Sequence, residues 1–230
     1  MAPSDAGGKS ASTHDYLKAH AIRGRLRPGR HLAPVELAAQ LRISVTPIRD
    51  ALVRLTEEGY LTWAATRGYF TKPFAVDEQR DLLRLLWLSV IPALFMVEGC
   101  GASGALQDLL DLPRDARVID LETSAAATEA VARHFEALHL ALTEATGNRI
   151  LSRQACSQME RAHLVRRLDL ADPANRRAEA AQLRALAQAV LQGDLGGAFE
   201  VVRRHLAQVE ARLPGLVALA NSQALQSDFP

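Results

Sequence analysis

Apolar residues recur at helical spacing through most of the chain, and the residues that interrupt them mark where each element starts and stops. Thr13 to Leu26 is helix-compatible, and Pro28-Gly29 then forces a turn. A second short helix is predicted over Pro34 to Leu41, with Pro34 in its first turn, where a missing amide proton costs nothing. A third begins at Ser44, a natural N-cap, and Ile48, Leu52 and Leu55 recur at i, i+4 and i+7 to make an inward face before Gly59 ends it. After Gly59 the spacing shifts toward period 2. Leu61 and Trp63 alternate with Thr62 and Ala64, a turn falls at Thr66-Arg67-Gly68, and the chain returns through Tyr69-Phe70-Thr71. Three helices followed by a hairpin predict a winged helix-turn-helix.

Everything beyond residue 75 reads as helix, over 76–98, 103–111, 123–146, 149–169, 173–192 and 195–212, with no strand signal and no internal repeat. Local chemistry marks the breaks. Gly147 suits a left-handed stop while Asn148 caps the next helix, Asp172-Pro173 is an N-cap with a first-position proline, and Gly193-Asp194 repeats the stop-then-cap pattern. The fold class is therefore mainly α: an N-terminal winged helix-turn-helix and a C-terminal all-helical bundle. The expected boundaries are a disordered lead-in over 1–12, the winged domain over 13–74, the helical domain over 75–213, and a weakly patterned, partly disordered tail over 214–230.

Charge sharpens this division. The whole chain, 230 residues, carries a formal net charge of +1, but residues 1–74 hold 11 Lys+Arg against 6 Asp+Glu (+5), leaving 16 against 20 (−4) for the rest. One end is built for a polyanion. The N-terminal stretch rich in Ser, Gly and Ala has no apolar run that could act as a secretory signal, so a cytoplasmic protein is expected. Leu85 to Val97, 13 residues without a charge, is shorter than the roughly 18 needed to span a bilayer and contains Pro92, so no membrane association is expected. Cys100 and Cys156 have no metal-ligand spacing and read as reduced structural thiols.

The stretch Gly24-Arg-Leu-Arg-Pro-Gly29, the run from Glu36 through Leu55, then Glu58-Gly59 and Arg67-Gly68-Tyr69, closely resembles the DNA-binding domain of the GntR family. The C-terminal half is similar to that family's FCD effector domain through His139-x-x-Leu142-x-x-Ala145-Thr-Gly-Asn148 and through Gly193-Asp194 followed by His205. Six helices rather than seven resemble the smaller, VanR-like variant. The resemblance implies operator DNA, a short palindrome, as one partner, a small-molecule effector as another, and a homodimer.

A recognition helix of this kind presents its first residues to base edges, which singles out Ser44, Val45, Thr46 and Arg49. Arg49 is the candidate base reader, since a guanidinium can bond guanine O6 and N7 together, worth roughly 1–3 kcal/mol of discrimination. Ser44 and Thr46 suit phosphate. An ion pair of Arg49 with Asp50 or Glu36 is the competing structural reading, and Arg54, farther along the helix, could serve only to cover apolar surface. The family often carries basic residues where Val45 and Val35 stand, and Gly where Arg42 stands. Arg42 could restore a phosphate contact at the expense of a left-handed conformation that costs on the order of 1 kcal/mol. Arg67 and Gly68 form the tip of the wing, where Gly68 allows close approach to a sugar-phosphate chain or simply makes the turn.

In metal-binding FCD domains the site resembles one Asp and three His. Here the first His is His139 and the last His205, but the Asp position falls on Phe135 and the middle His on Leu183, neither of which can ligate. Glu136, one turn from His139, is the best substitute, which makes Glu136, His139 and His205 the candidate set for a divalent cofactor such as zinc; His134 or His163 would need unusual geometry. Buried, hydrogen-bonded imidazoles are the favoured state, with an apolar pocket anchored by Arg84, His139 and His205 as the effector site. Arg84 aligns with an Arg common on the first effector-domain helix and is the one charge inside Leu82 to Leu88; if buried it needs an anion, either a protein carboxylate or the acid group of an organic acid or related metabolite, and the competing structural reading places it at a dimer interface or reaching to water.

These readings converge on a sequence-specific transcriptional regulator, a repressor by the family's common pattern. The alternative is a DNA-binding dimer whose helical domain has lost its ligand and acts only as a dimerisation scaffold. An enzyme is disfavoured. The only lysines are Lys9, Lys18 and Lys72, so the helical domain holds no Schiff-base lysine, and no Gly-rich phosphate loop occurs.

Overall fold

The structure is a computed structural model that describes residues 6–100 and 125–227, with side chains over 12–92 and 125–227. It divides into two compact units, residues 1–75 together with 217–230, and residues 76–216.

In the first unit α1 spans Ala6–Ile22, a two-residue strand β1 spans His31–Leu32, α2 spans Pro34–Leu41 and α3 spans Val45–Glu57, followed by β2 at Leu61–Ala64 and β3 at Gly68–Thr71. The strands form an antiparallel sheet in the order β1-β3-β2, with Leu61 opposite Thr71 and Ala64 opposite Gly68 in the hairpin. The inward face of α3 consists of Ile48, Ala51, Leu52 and Leu55, all fully buried with Leu17, Leu37 and Leu61 in one apolar cluster.

Helix ends in this unit share one device. α1 stops because Gly24 takes φ +64, its N–H bonding Ala21 O while that of Arg25 bonds His20 O, so the helix ends at Ile22, not at the turn of Pro28-Gly29. α2 stops in the same way at Arg42, with φ 55 and ψ 42, its N–H and that of Ile43 reaching back to Ala39 O and Ala38 O. Arg42 is the one non-glycine with positive φ among the described residues.

Both ends of the chain depart from expectation. α1 begins at Ala6, inside the segment read as a disordered lead-in. The tail is helical as well, because the last helix continues through Pro214 to Leu225. A proline removes one helical hydrogen bond, but Leu213, Val217, Ala220 and Ala224 are all buried at helical spacing and hold the helix together. Within the first unit, Asn221 bonds both the N–H and the carbonyl of Phe74 at 2.9 Å, and Arg27 donates to Ser227 O at 2.7 Å.

The second unit contains α4 (Val76–Cys100), α5 (Ala125–Ala145), α6 (Arg149–Ala171), α7 (Pro173–Leu191) and the part of α8 (Leu195–Leu225) up to residue 216. The helix predicted over 103–111 lies outside the described residues. Local caps set the boundaries: Asn148 Oδ1 accepts from the amides of Ile150 and Leu151, Asp172 Oδ1 from Ala174, and Asp194 Oδ1 from Gly197. The helices enclose one large apolar cluster built from Leu83, Leu86, Trp87 and Val90 of α4, Phe135, Leu138 and Leu142 of α5, and Leu183 and Leu186 of α7. No described helix is long and apolar enough to cross a membrane.

Candidate DNA interface and effector cavity

Burying Ile48, Ala51, Leu52 and Leu55 leaves the other face of α3 in solvent, with Thr46, Arg49, Asp50, Val53 and Arg54 exposed. Ser44 occupies the N-cap position in an extended conformation, yet its side chain makes no cap hydrogen bond. Val45 is half-buried against the core. Arg42, Arg49, Arg54 and Arg67 are all exposed, and among the described residues none forms an ion pair, so Arg49 is not paired with Asp50 or Glu36. Arg49 and Arg54 share the exposed side of α3 with Asp50 and Glu57, and Arg42 and Arg67 add two further cations outside the helix.

The hairpin carries the fourth of them. Arg67 follows β2 at the tip, with its guanidinium 5.5 Å from the Phe70 ring centre. Gly68 has φ +87, and a Cβ there would stand 3.1 Å from His31 Nε2 on the neighbouring strand. The backbone angle favours glycine, and a Cβ would also press on the exposed His31 side chain of β1. The β1 contact was missed in the sequence, since two residues pairing with Tyr69 and Phe70 leave no periodic signal.

The helical unit contains a small cavity of about 40 Å³, walled by Leu83, Val165, Val209, Leu213 and Leu216 together with the polar side chains Gln79, Arg166, Asp169, Glu179 and His205. Two of the charges are paired. Arg166 donates to Glu136 Oε1 at 2.7 Å and lies over the Phe135 ring, 4.4 Å from its centre. Arg212 clamps Asp169 with two hydrogen bonds of 2.7 Å, and Asn175 donates to Asp169 Oδ1 at 2.8 Å. Glu179 has no such partner. Its contact with His205 Nδ1 is 3.3 Å long. Burial pushes the Glu179 carboxyl up to about 8 against the opposing pull of Arg166, and burial with help from Arg212 lowers His205 to about 4. The His205 Nδ1–H is directed at Gln182 Oε1, 2.5 Å away.

His139 is fully buried beside this cavity but does not line it. Its Nδ1 donates to Phe135 O at 2.8 Å, its Nε2 has no partner, and burial holds its pKa down to about 3. Phe135 stacks on it at 3.9 Å and Trp87 meets it edge-on at 4.5 Å. The positions that carry Asp and His in metal-binding relatives are thus filled by Phe135 and Leu183, both buried in the apolar cluster. Glu136 does not replace them: its carboxylate is engaged by Arg166 and by His163 Nδ1 at 3.0 Å, which together hold it below the usual carboxylate range although burial opposes them. Two imidazoles without a third donor do not fit a divalent ion, and no cluster of three potential ligands occurs among the described residues.

Arg84 corrects a further expectation. Its side chain is 52% exposed and forms a bidentate pair with Glu210 at 2.6 and 3.0 Å, away from the cavity wall. Leu83, Leu86, Trp87 and Val90 form the inner face of α4, and the helical period places Arg84, Leu85 and Leu88 outside. The organic-acid reading loses the cation on which it stood. The cation that does border the cavity is Arg166, and the polar groups missed with it are Gln79, Asp169 and Glu179. For Glu179 a signal existed, in its helical spacing with Leu183, Leu186 and Val190.

A winged helix-turn-helix with exposed arginines on and around its third helix, joined to an all-helical unit, defines a DNA-binding transcriptional regulator. Residues 9–70 match the model of bacterial regulatory proteins of the gntR family, and residues 96–208 match that of the FCD domain. The chain belongs to the GntR family and carries an FCD domain, which makes it a regulator and not an enzyme. It is 46% identical over 65 residues to the Nta operon transcriptional regulator of Aminobacter aminovorans, a match covering 28% of this chain and 31% of that protein. An HTH-type regulator in an unstable DNA locus of Streptomyces ambofaciens is 28% identical over 208 residues, 88% of this chain and 84% of the relative. The fold is shared with a GntR regulator from Rhodococcus sp. RHA1 at a TM-score of 0.66, with 18% identity and coverage of 90% of this chain and 98% of that one.

Proposed function

We propose that this regulator binds a short palindromic operator as a homodimer, acting in the cytoplasm as a repressor, and that a small-molecule effector seated in the helical unit's cavity controls the binding. The observation that carries the reading is the set of exposed guanidiniums without ion pairs at Arg42, Arg49, Arg54 and Arg67, in a region with a net charge of +5. Arg49 serves as the base reader. Ser44, whose side chain makes no cap hydrogen bond, and Thr46 contact phosphate at the start of α3; Arg42, Arg54 and Arg67 track the backbone, and Gly68 lets the wing tip approach it. Val45, half-buried, packs the start of the helix.

Dimerisation is supported by Leu85 and Leu88, 50% and 60% exposed on one face of α4. The cavity favours a sensor over a bare scaffold, since it is edged by buried polar groups where close packing would otherwise be expected. Selection of the full chain's binding sites from random duplex DNA tests the reading. An inverted repeat with half-sites about one helical turn apart is the expected product. Recovery of no common sequence would contradict it.

A further inference from the structure

The polar groups around the cavity are unevenly satisfied. Arg166 is committed to Glu136 and Arg212 to Asp169, so each guanidinium already has its carboxylate. What remains is an acceptor-rich set. Glu179, only 7% exposed, forms no ion pair with an arginine or lysine among the described residues, although Arg166 and Arg212 act on it from farther off, and Gln79 is 4% exposed. His205 directs its Nδ1 proton at Gln182, which leaves Nε2 as a lone-pair acceptor on a side chain of the cavity wall. Apart from the paired Arg166 and Asp169, the rest of that wall is apolar, aliphatic except for Phe135.

We propose that the cavity binds a short aliphatic amine in its ammonium form, with the Glu179 carboxylate as counter-charge and Gln79 and His205 as the further acceptors. An ammonium brings three N–H donors and no acceptor, which matches this set. A carboxylate ligand would lie beside Glu179 with both guanidiniums already engaged, and an alcohol would leave the buried acid without a cation. Leu83, Val209 and Leu213 would take the alkyl chain. A cavity of about 40 Å³ has room for roughly three waters, so the chain is short, about three to five heavy atoms.

The inference rests on the effector-cavity reading, and calorimetry of the full chain separates the two. n-Propylammonium chloride, sodium propionate and 1-propanol are titrated at equal ionic strength and about pH 8.5, where an alkylammonium keeps its proton. Propylammonium is expected to bind at least tenfold more tightly than either counterpart, and Glu179→Gln, which keeps the side-chain volume, to lose at least tenfold in that affinity. Leu213→Trp, which fills the cavity, should abolish it, and its far-UV circular dichroism shows whether the helices are intact. If propionate or propanol binds instead, and Leu213→Trp removes that binding, the cavity remains an effector site and the amine assignment is overturned. If Glu179→Gln binds propylammonium as the parent does, the assignment is likewise overturned. Silence from all three probes overturns the assignment and the sensor reading together.

Discussion

Arg42→Gly should move stability and DNA affinity in opposite directions. Arg42 ends α2 with φ 55 and ψ 42, the conformation that Gly24 adopts at the end of α1. A Cβ in this region costs about 1–2 kcal/mol, and glycine gives back roughly 0.5–1 kcal/mol through the greater freedom of the unfolded chain. The net expectation is a gain of about 0.5 kcal/mol, or roughly 2–4 °C for a unit of this size. The hydrogen bonds from residue 42 and Ile43 to Ala39 and Ala38 are made by backbone and survive the change. The guanidinium does not, and losing one phosphate contact should make the slope of log K against log salt shallower by about 0.9. Amide hydrogen exchange in α2 and α3 under increasing urea measures the first effect, and operator titrations across a salt series measure the second. Faster exchange would refute the strain argument; an unchanged salt slope would remove Arg42 from the interface.

Three further substitutions probe other parts of the molecule. Arg49→Ala should cost about 1–3 kcal/mol on the operator and much less on scrambled DNA, whereas Arg67→Ala should weaken both alike; competition binding with the two duplexes separates them, and equal losses for Arg49→Ala would remove its base-reading role. Gly68→Ala should destabilise the wing by about 1 kcal/mol, the usual cost of a non-glycine at φ +87, while the exposed His31 side chain moves aside for the new Cβ; urea unfolding with no loss of stability would contradict this. His139 and His205, held down to about 3 and 4 from 6.5, contribute stability that is complete above pH 6.5 and is lost as pH falls toward those values. Each group then steepens the decline by up to about 1.4 kcal/mol per pH unit. Glu179, raised from 4.5 to about 8, acts oppositely: its contribution is complete below 4.5 and lost as pH rises through 8. His139→Phe should therefore flatten the acid limb and Glu179→Gln the alkaline one, and unfolding profiles that match the parent's would show that these groups are not held neutral.

What the sequence revealed was local chemistry. Asn148, Asp172 and Asp194 cap helices because a side-chain oxygen reaches an amide two or three residues away, and that information is contained in a few residues. The apolar spacing of Ile48, Leu52 and Leu55 gave the inner face of α3, and with it the outer face that carries Arg49. What it hid depends on distant neighbours. β1 exists only because His31 and Leu32 meet Phe70 and Tyr69, and the helix through Pro214 persists because its buried stripe outweighs one lost hydrogen bond. Arg84 looked like an interior charge because apolar residues surround it in sequence, yet Leu83, Leu86 and Trp87 form the buried side and turn it outward to Glu210. Identifying Arg166, Asp169 and Glu179 as cavity groups required knowing how α5, α6, α7 and α8 pack, which no single helix records.

The claim that this chain reads DNA sequence through the exposed face of α3 meets its most direct test in fluorescence anisotropy, at about 0.15 M salt, of the full chain with the selected inverted repeat and with a scrambled duplex of equal length and composition. The expected result is binding at least about a thousandfold tighter to the repeat, as for specific regulators generally. Equal affinity for the two duplexes would contradict it.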